Sequence, residues 1–480
     1  MRRLASLLAL ALLLSACSRG SKTDTTATTG NRATTTSSTA STTTSTSAPA
    51  TTVAAAPAPN GCDASALTRV KPRDDRTRYN IDATVDLDAN QVRGTMQAAF
   101  TPDKATDRIV MRLWPNAPTP SSKGGHIDLA NATVGGKPVA LSLTNATTAV
   151  ATTGPLTAGR ELSFDVAFTV TLPRDLDDRL SRVGTTVRLG SWLPLLPWEP
   201  GVGWALDPPT TSNAEASTSI HSDFIVHLVT PPGLTVLATG SEVGGAWKAE
   251  AVPDWAASIG DFTVARGNAG SVPVVVGVEK SLGESATTYL NAVTPALTEL
   301  ARRYGPYPWP AYTLAITPNL KGGIEYPGHV MQGPHTNTRT LPHEIAHEWF
   351  YALVGSDQGR DPWIDEGLAS WAEAQVDHTY QSFLSKPIPA YGKNHLGESM
   401  PYWDRDHSAY YRSVYVQTVH ALAALGVSTA AVDCAIARFV AANAYRVAVP
   451  SEVIGALKTV APNAEAVFAR FGAQRLSPNP

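Results

Sequence analysis

His343 and His347, four residues apart in the run His343-Glu344-Ile345-Ala346-His347, constrain this chain more than any other feature. On a helix that spacing sets both imidazoles on one face, about one turn apart, so both can reach one ion. Zinc accepts neutral imidazole nitrogen and carboxylate oxygen, and a catalytic zinc keeps three protein ligands and an open position for water. Glu344 points beside that position and can take the water's proton. A further carboxylate, Glu366, follows His347 after eighteen residues. The pair of features predicts a zinc-hydrolase site.

The 480 residues allow two or three domains and ample core. Charge is nearly balanced, 38 basic against 41 acidic residues, with no long basic run, which excludes nucleic acid as an expected partner. Arg2, Arg3 and the apolar stretch Leu4 to Leu14 read as a signal peptide, too short for a conventional transmembrane helix. Its end, Leu14-Ser15-Ala16-Cys17, resembles a bacterial lipobox. That resemblance implies cleavage after residue 16 and lipidation of Cys17, hence an exported protein anchored by lipid at the extracytoplasmic face of the cell membrane. An ordinary secretory peptide is the alternative. Residues 17–60 then comprise the lipidated cysteine and a disordered tether rich in Ser, Thr, Ala and Pro, spanning roughly 35 Å as a flexible coil. Cys62 and Cys434 are left in the body. An exported protein permits a disulfide between them, with two separate buried thiols as the alternative.

From Tyr79 the pattern has period two: Tyr79, Ile81, Ala83, Val85 and Leu87 alternate with polar residues. A turn at Ala89-Asn90-Gln91 leads to Val92, Gly94, Met96, Ala98 and Phe100, and Leu162 to Leu172 repeats the alternation. This predicts an all-β domain of sandwich or saddle type over residues 61–267, without helices. The texture then changes. Helical spacing runs from Ala286 to Tyr304, a strand covers Tyr312 to Thr317, and the motif helix is expected from Leu341 to Val354, with Pro342 in its first turn and Gly355 as its cap. A second helix starts near Asp365, and a third covers Tyr410 to Leu425. Residues 268–480 are expected to form an α+β catalytic domain.

In the catalytic half, His343-Glu344-x-x-His347-x-Trp349-Phe350 followed by Asp365-Glu366-Gly367-Leu368-Ala369 resembles the zinc signature of the M1 aminopeptidases, a gluzincin family. Gly322-Gly323-Ile324-Glu325-Tyr326 is similar to that family's Gly-x-Met-Glu-Asn motif, with Ile324 and Tyr326 departing from Met and Asn. The resemblance implies a multidomain fold in which an N-terminal β-domain precedes a thermolysin-like domain. The family's large C-terminal helical domain is expected to be absent. It implies one zinc ion per chain held by His343, His347 and Glu366, with Glu344 as general base and Glu373 bracing a zinc histidine. Tyr415 is implied as the hydroxyl that stabilises the oxyanion, in competition with Tyr410 and Tyr411. Glu325 is implied as the receptor of the substrate's α-amine. A second acidic contact to that amine is expected from the β-domain, with Glu199 as the guess. The expectation is a monomeric metallopeptidase acting on peptide substrates from their N-terminus. Alternatives are a zinc endopeptidase, another small-substrate hydrolase on the same site, or a catalytically impaired lipoprotein with a binding role. No Gly-x-Ser-x-Gly elbow or phosphate loop appears.

Overall fold

The computed structural model describes residues 62–211, 220–336 and 338–473. The signal-like segment, Cys17 and the tether lie outside the described residues. Among the described residues, no helix is long and apolar enough to cross a membrane.

Along Arg78–Asp86, Tyr79, Ile81, Ala83 and Val85 are buried while Asn80, Asp82 and Thr84 are exposed, the one-sided burial that alternation requires. This strand pairs antiparallel with Gln91–Phe100, setting Ile81 opposite Met96. Asn90 closes the turn at φ 56°, a left-handed conformation that Asn tolerates. Gln91–Phe100 pairs on its other side with Leu162–Thr171, the second alternating run. All three belong to an eight-stranded sheet. A four-stranded sheet containing Thr186–Leu189 and a three-stranded sheet containing Thr106–Arg112 pack on it around one apolar core. Contrary to expectation, this β-rich part also holds short helical turns, Trp114–Asn116 and Pro118–Ser121, each carrying a proline in its first turn.

A five-stranded sheet follows, ordered Phe262–Ala269, Val272–Glu279, Tyr312–Ile316, His329–Gln332 and Gly323–Tyr326. It begins at Phe262, ahead of the boundary expected at residue 267. Inner positions of Phe262–Ala269 are exposed or half-buried, so that strand carries little alternation to read. Helix Ala286–Tyr304 lays Tyr289, Val293, Leu297 and Leu300 against Val274, Val276 and Val278. Each such side chain contributes about 1.5–3 kcal/mol by leaving water.

The motif helix is Thr340–Ala346, with Pro342 in its first turn. It stops well short of Val354, and Gly355 is not its cap. Gly355–Ser356 instead pairs with Val447–Ala448. The early exit swings the Phe350 carbonyl back to His347, whose Nδ1–H donates to it at 3.0 Å. Glu366 and Tyr415 both lie in π-helical turns, Trp363–Gly367 and Arg412–Val416. These lead into helices Leu368–Val376 and Gln417–Ala423, so the expected third helix is broken into pieces that begin at His407. Such wide turns re-aim side chains and recur at functional sites.

Cys62 and Cys434 are joined by a disulfide, with Cα atoms 5.5 Å apart. It ties the first described residues to helix Thr429–Asn443. Beside it, Asp433 accepts hydrogen bonds from Trp371 Nε1 (2.8 Å) and the Tyr304 hydroxyl (3.1 Å), linking three helices of the catalytic part.

Candidate functional site

Three donors converge between the motif helix and the turn that carries Glu366. His343 Nε2 lies 3.2 Å from His347 Nε2 and 3.1 Å from Glu366 Oε2. His347 Nε2 lies 3.4 Å from the same oxygen. Tetrahedral zinc holds nitrogen and oxygen at about 2.0–2.2 Å, which separates neighbouring donors by roughly 3.4 Å. The triangle therefore has the size a zinc ion needs, and its two imidazoles and one carboxylate are zinc's usual ligands.

The back of each histidine is braced. Asp365 Oδ1 stands 2.5 Å from His347 Nδ1, and Glu373 Oε2 stands 3.4 Å from His343 Nδ1. Burial opposes charge on both imidazoles. At His343, however, Glu366 and Glu373 outweigh burial and raise the pKa, and at His347 Asp365 and Glu325 do the same. Carboxylates on both sides of two imidazoles make a pocket that demands positive charge. A divalent cation supplies it while leaving the imidazoles neutral.

Glu344 is buried beside this triangle. Burial pushes its carboxyl up to about 8, against the pull of His343 and His347. It fits only because residue 323 is glycine: a Cβ there would stand 2.3 Å from Glu344 Cγ. Tyr415 stacks on His343, with ring centroids 5.5 Å apart and planes 15° from parallel. Its phenol is raised well above its ordinary pKa, first by burial and then by Glu366. Tyr411 rests its ring 5.0 Å from that of Tyr415, one layer further from the donors.

Glu325 lies on the edge strand Gly323–Tyr326 and accepts a hydrogen bond from Gln358 Nε2 at 3.3 Å. Two cavities meet there. One, of about 520 Å³, is lined by Glu325, Glu344, the three donors, Tyr411 and Tyr415. The other, of about 400 Å³, is lined by Glu325, Asp178, Arg179, Lys321, His407 and Tyr410. Tyr326 points the opposite way, as the next residue of a strand does. It is buried, its hydroxyl lies 2.9 Å from Ser191 Oγ, and a Cβ at Gly190 would stand 2.4 Å from that hydroxyl. The departure from Asn thus falls on the face packed against the β-rich part.

The structure brings together His343, Glu344, His347, Glu366, Glu373, Glu325 and Tyr415. It does not bring Glu199, whose side chain pairs with Arg360 at 3.3 Å and lines a separate cavity with Trp198 and His221. Asp178 and Arg179 are the β-rich part's contribution beside Glu325. Sequence reasoning missed Asp365, Gln358 and the role of Gly323. Asp365 had a signal, its place next to Glu366; Gln358 had none. His329 is a satisfied core histidine, bonded to Ser258 (3.0 Å) and Thr313 (2.8 Å).

No family model matches the chain. A segment is 29% identical over 110 residues to aminopeptidase RNPEPL1 of Mus musculus, covering 21% of this chain and 15% of that protein. Another is 32% identical over 81 residues to leukotriene A-4 hydrolase of Xenopus laevis, covering 15% and 13%. The chain thus matches only a small part of these relatives' length. Among solved structures, the M1 zinc metallopeptidase of Deinococcus radiodurans aligns with TM-score 0.60 at 19% identity, covering 87% of this chain and 98% of that one. A mutant of that enzyme bound to a Tyr-Ser-Ala substrate aligns with TM-score 0.59 at 20% identity, covering 84% and 95%. The β-rich layers, the five-stranded sheet and the helices around the donor triangle together make the fold of the M1 zinc metallopeptidases.

Proposed function

We propose that this protein is a zinc-dependent metallopeptidase of M1 type that removes residues from the N-terminus of peptides. The observation that carries this reading is one cleft that holds a zinc-sized donor triangle, Glu344 and Glu325. Zinc, one per chain, would be held by His343, His347 and Glu366, with Asp365 and Glu373 fixing the two rings. Bound there, it supplies Lewis-acid polarisation of the scissile carbonyl and makes water more acidic.

The chain's own residues then divide the work. Glu325 pairs with the substrate's ammonium and sets the first peptide bond beside Glu344, a positional constraint that converts binding into rate. Glu344 takes a proton from the attacking water and returns it to the departing amine. The Tyr415 hydroxyl donates to the oxygen that gains charge at the scissile carbon. Gln358 holds the Glu325 carboxylate in place, and the Glu344 carboxyl works in the space that Gly323 leaves open.

The test compares a peptide with a free N-terminus and its N-acetylated form. Acetylation should lower kcat/KM by about a hundredfold or more, and Glu325→Ala should erase most of that difference. Equal rates on both substrates would remove Glu325 from this role and favour an endopeptidase.

The lipobox-like run before Cys17 supports tethering at the extracytoplasmic face, and a disulfide fits an oxidising compartment. Cys17→Ser should move the protein from the membrane to the soluble fraction. Unchanged membrane association would overturn the tether.

A further inference from the structure

The 520 Å³ cavity has a chemically distinct outer end. Arg339 stands there, the one permanent cation among the described residues that line this cavity. Neither Arg339 nor Glu373 lines the cavity around Arg179 and Tyr410, whereas Glu325 lines both. Glu366 and Tyr415 also line both, so Arg339 stands at the end of the cleft away from Arg179 and Tyr410, in one cavity with Glu325 and the donor triangle.

The surroundings of Arg339 equip it for a ligand. Its side chain is 53% exposed although it lines the cleft. Its Nε lies 3.4 Å from Glu373 Oε1, and its Nη2 donates to the Tyr411 hydroxyl at 3.2 Å, so the guanidinium is held across the wall of the cleft. Lys386 Nζ donates to the same hydroxyl at 3.3 Å and adds a second positive charge to that wall. The backbone of Arg339 is also held at φ 51° and ψ −67°, an unfavourable region for a residue with a Cβ, and its N–H donates to Asp377 Oδ2 at 2.9 Å. Glu373 divides its two oxygens between Arg339 and His343, and Asp377 accepts from the backbone of Arg339.

We propose that Arg339, supported by Lys386, is a specificity-determining residue that receives the C-terminal carboxylate of short peptides. This rests on the peptidase reading for its substrate and deepens it. The Glu373 carboxylate bridges Arg339 to His343, 3.4 Å from each, so the guanidinium stands one carboxylate and one imidazole ring away from the donor nitrogen of His343. An extended chain advances about 3.4 Å per residue, so a carboxylate two or three residues beyond the scissile bond reaches it. Tri- and tetrapeptides satisfy both ends of the cleft, Glu325 with the ammonium and Arg339 with the carboxylate. A planar guanidinium suits a carboxylate better than a single ammonium does.

The experiment separates this clamp from the peptidase reading. Trialanine, as the free acid and as the C-terminal amide, is titrated by calorimetry into zinc-loaded Glu344→Ala protein, and both peptides are assayed for turnover by the wild type. The acid should bind about five- to tenfold more tightly than the amide. Arg339→Gln in the same background should bring the acid down to the amide, and Arg339→Lys should keep part of the preference. Equal binding of acid and amide, or a preference that survives Arg339→Gln, overturns the clamp. A fall of both peptides together on Arg339→Gln also overturns it, because that pattern marks a structural effect through Glu373. An acid preference in binding without wild-type turnover of either peptide upholds the clamp and defeats the peptidase reading.

Discussion

The donor triangle and the Glu325 end of the cleft are built differently. His343 and His347 sit on a helix, and each has a carboxylate behind it, Glu373 and Asp365. Glu325 sits on a four-residue edge strand and is steadied by one amide, Gln358. The strand is held from its other face by Tyr326, which docks on Ser191 of the β-rich part. The donor triangle is thus fixed within the catalytic part by charge. Glu325 depends on packing between two parts of the chain.

Substitutions behind the two sides sharpen the contrast. Asp365→Ala should weaken zinc affinity by about ten- to a hundredfold, because it frees the buried ring of His347. Glu373→Ala should cost less, since its contact with His343 is longer and its position more open to Arg339. Competition with a chromogenic chelator measures both, and equal or reversed losses would contradict the ranking. Tyr326→Phe should have the smallest effect, about 1 kcal/mol of stability from one lost hydrogen bond, with zinc affinity unchanged. Urea unfolding together with the chelator assay reads both quantities. A loss of zinc affinity in that variant would break the proposed separation of the two sides.

The same contrast explains how far the sequence could be read. Fixed spacing on a helix makes His343, Glu344 and His347 visible from sequence, and period-two burial makes the hairpin around Asn90 visible. The end of the motif helix was not legible, because it is set by the Phe350 carbonyl turning back to His347, a tertiary contact. The π-helical turns under Glu366 and Tyr415 leave no periodic trace either. Gln358 reaches Glu325 from a different segment, so no local spacing announces it. Tyr326 read as a defect in the amine-binding motif, yet its side chain belongs to the opposite face of the strand and packs away from the cleft. Glu199 failed as a guess for a related reason. No spacing tied it to the site, and its carboxylate is committed to Arg360.

The central claim is that zinc in the donor triangle and proton transfer by Glu344 together hydrolyse peptide bonds. Metal content and turnover of an aminoacyl fluorogenic substrate, measured on the same samples of wild type, chelated wild type and Glu344→Ala, test it most directly. The expected result is one zinc per chain in the wild type and in Glu344→Ala, loss of activity on chelation, and a fall of about a thousandfold or more in the variant. Undiminished turnover by the zinc-loaded variant, or by the metal-free wild type, would contradict it.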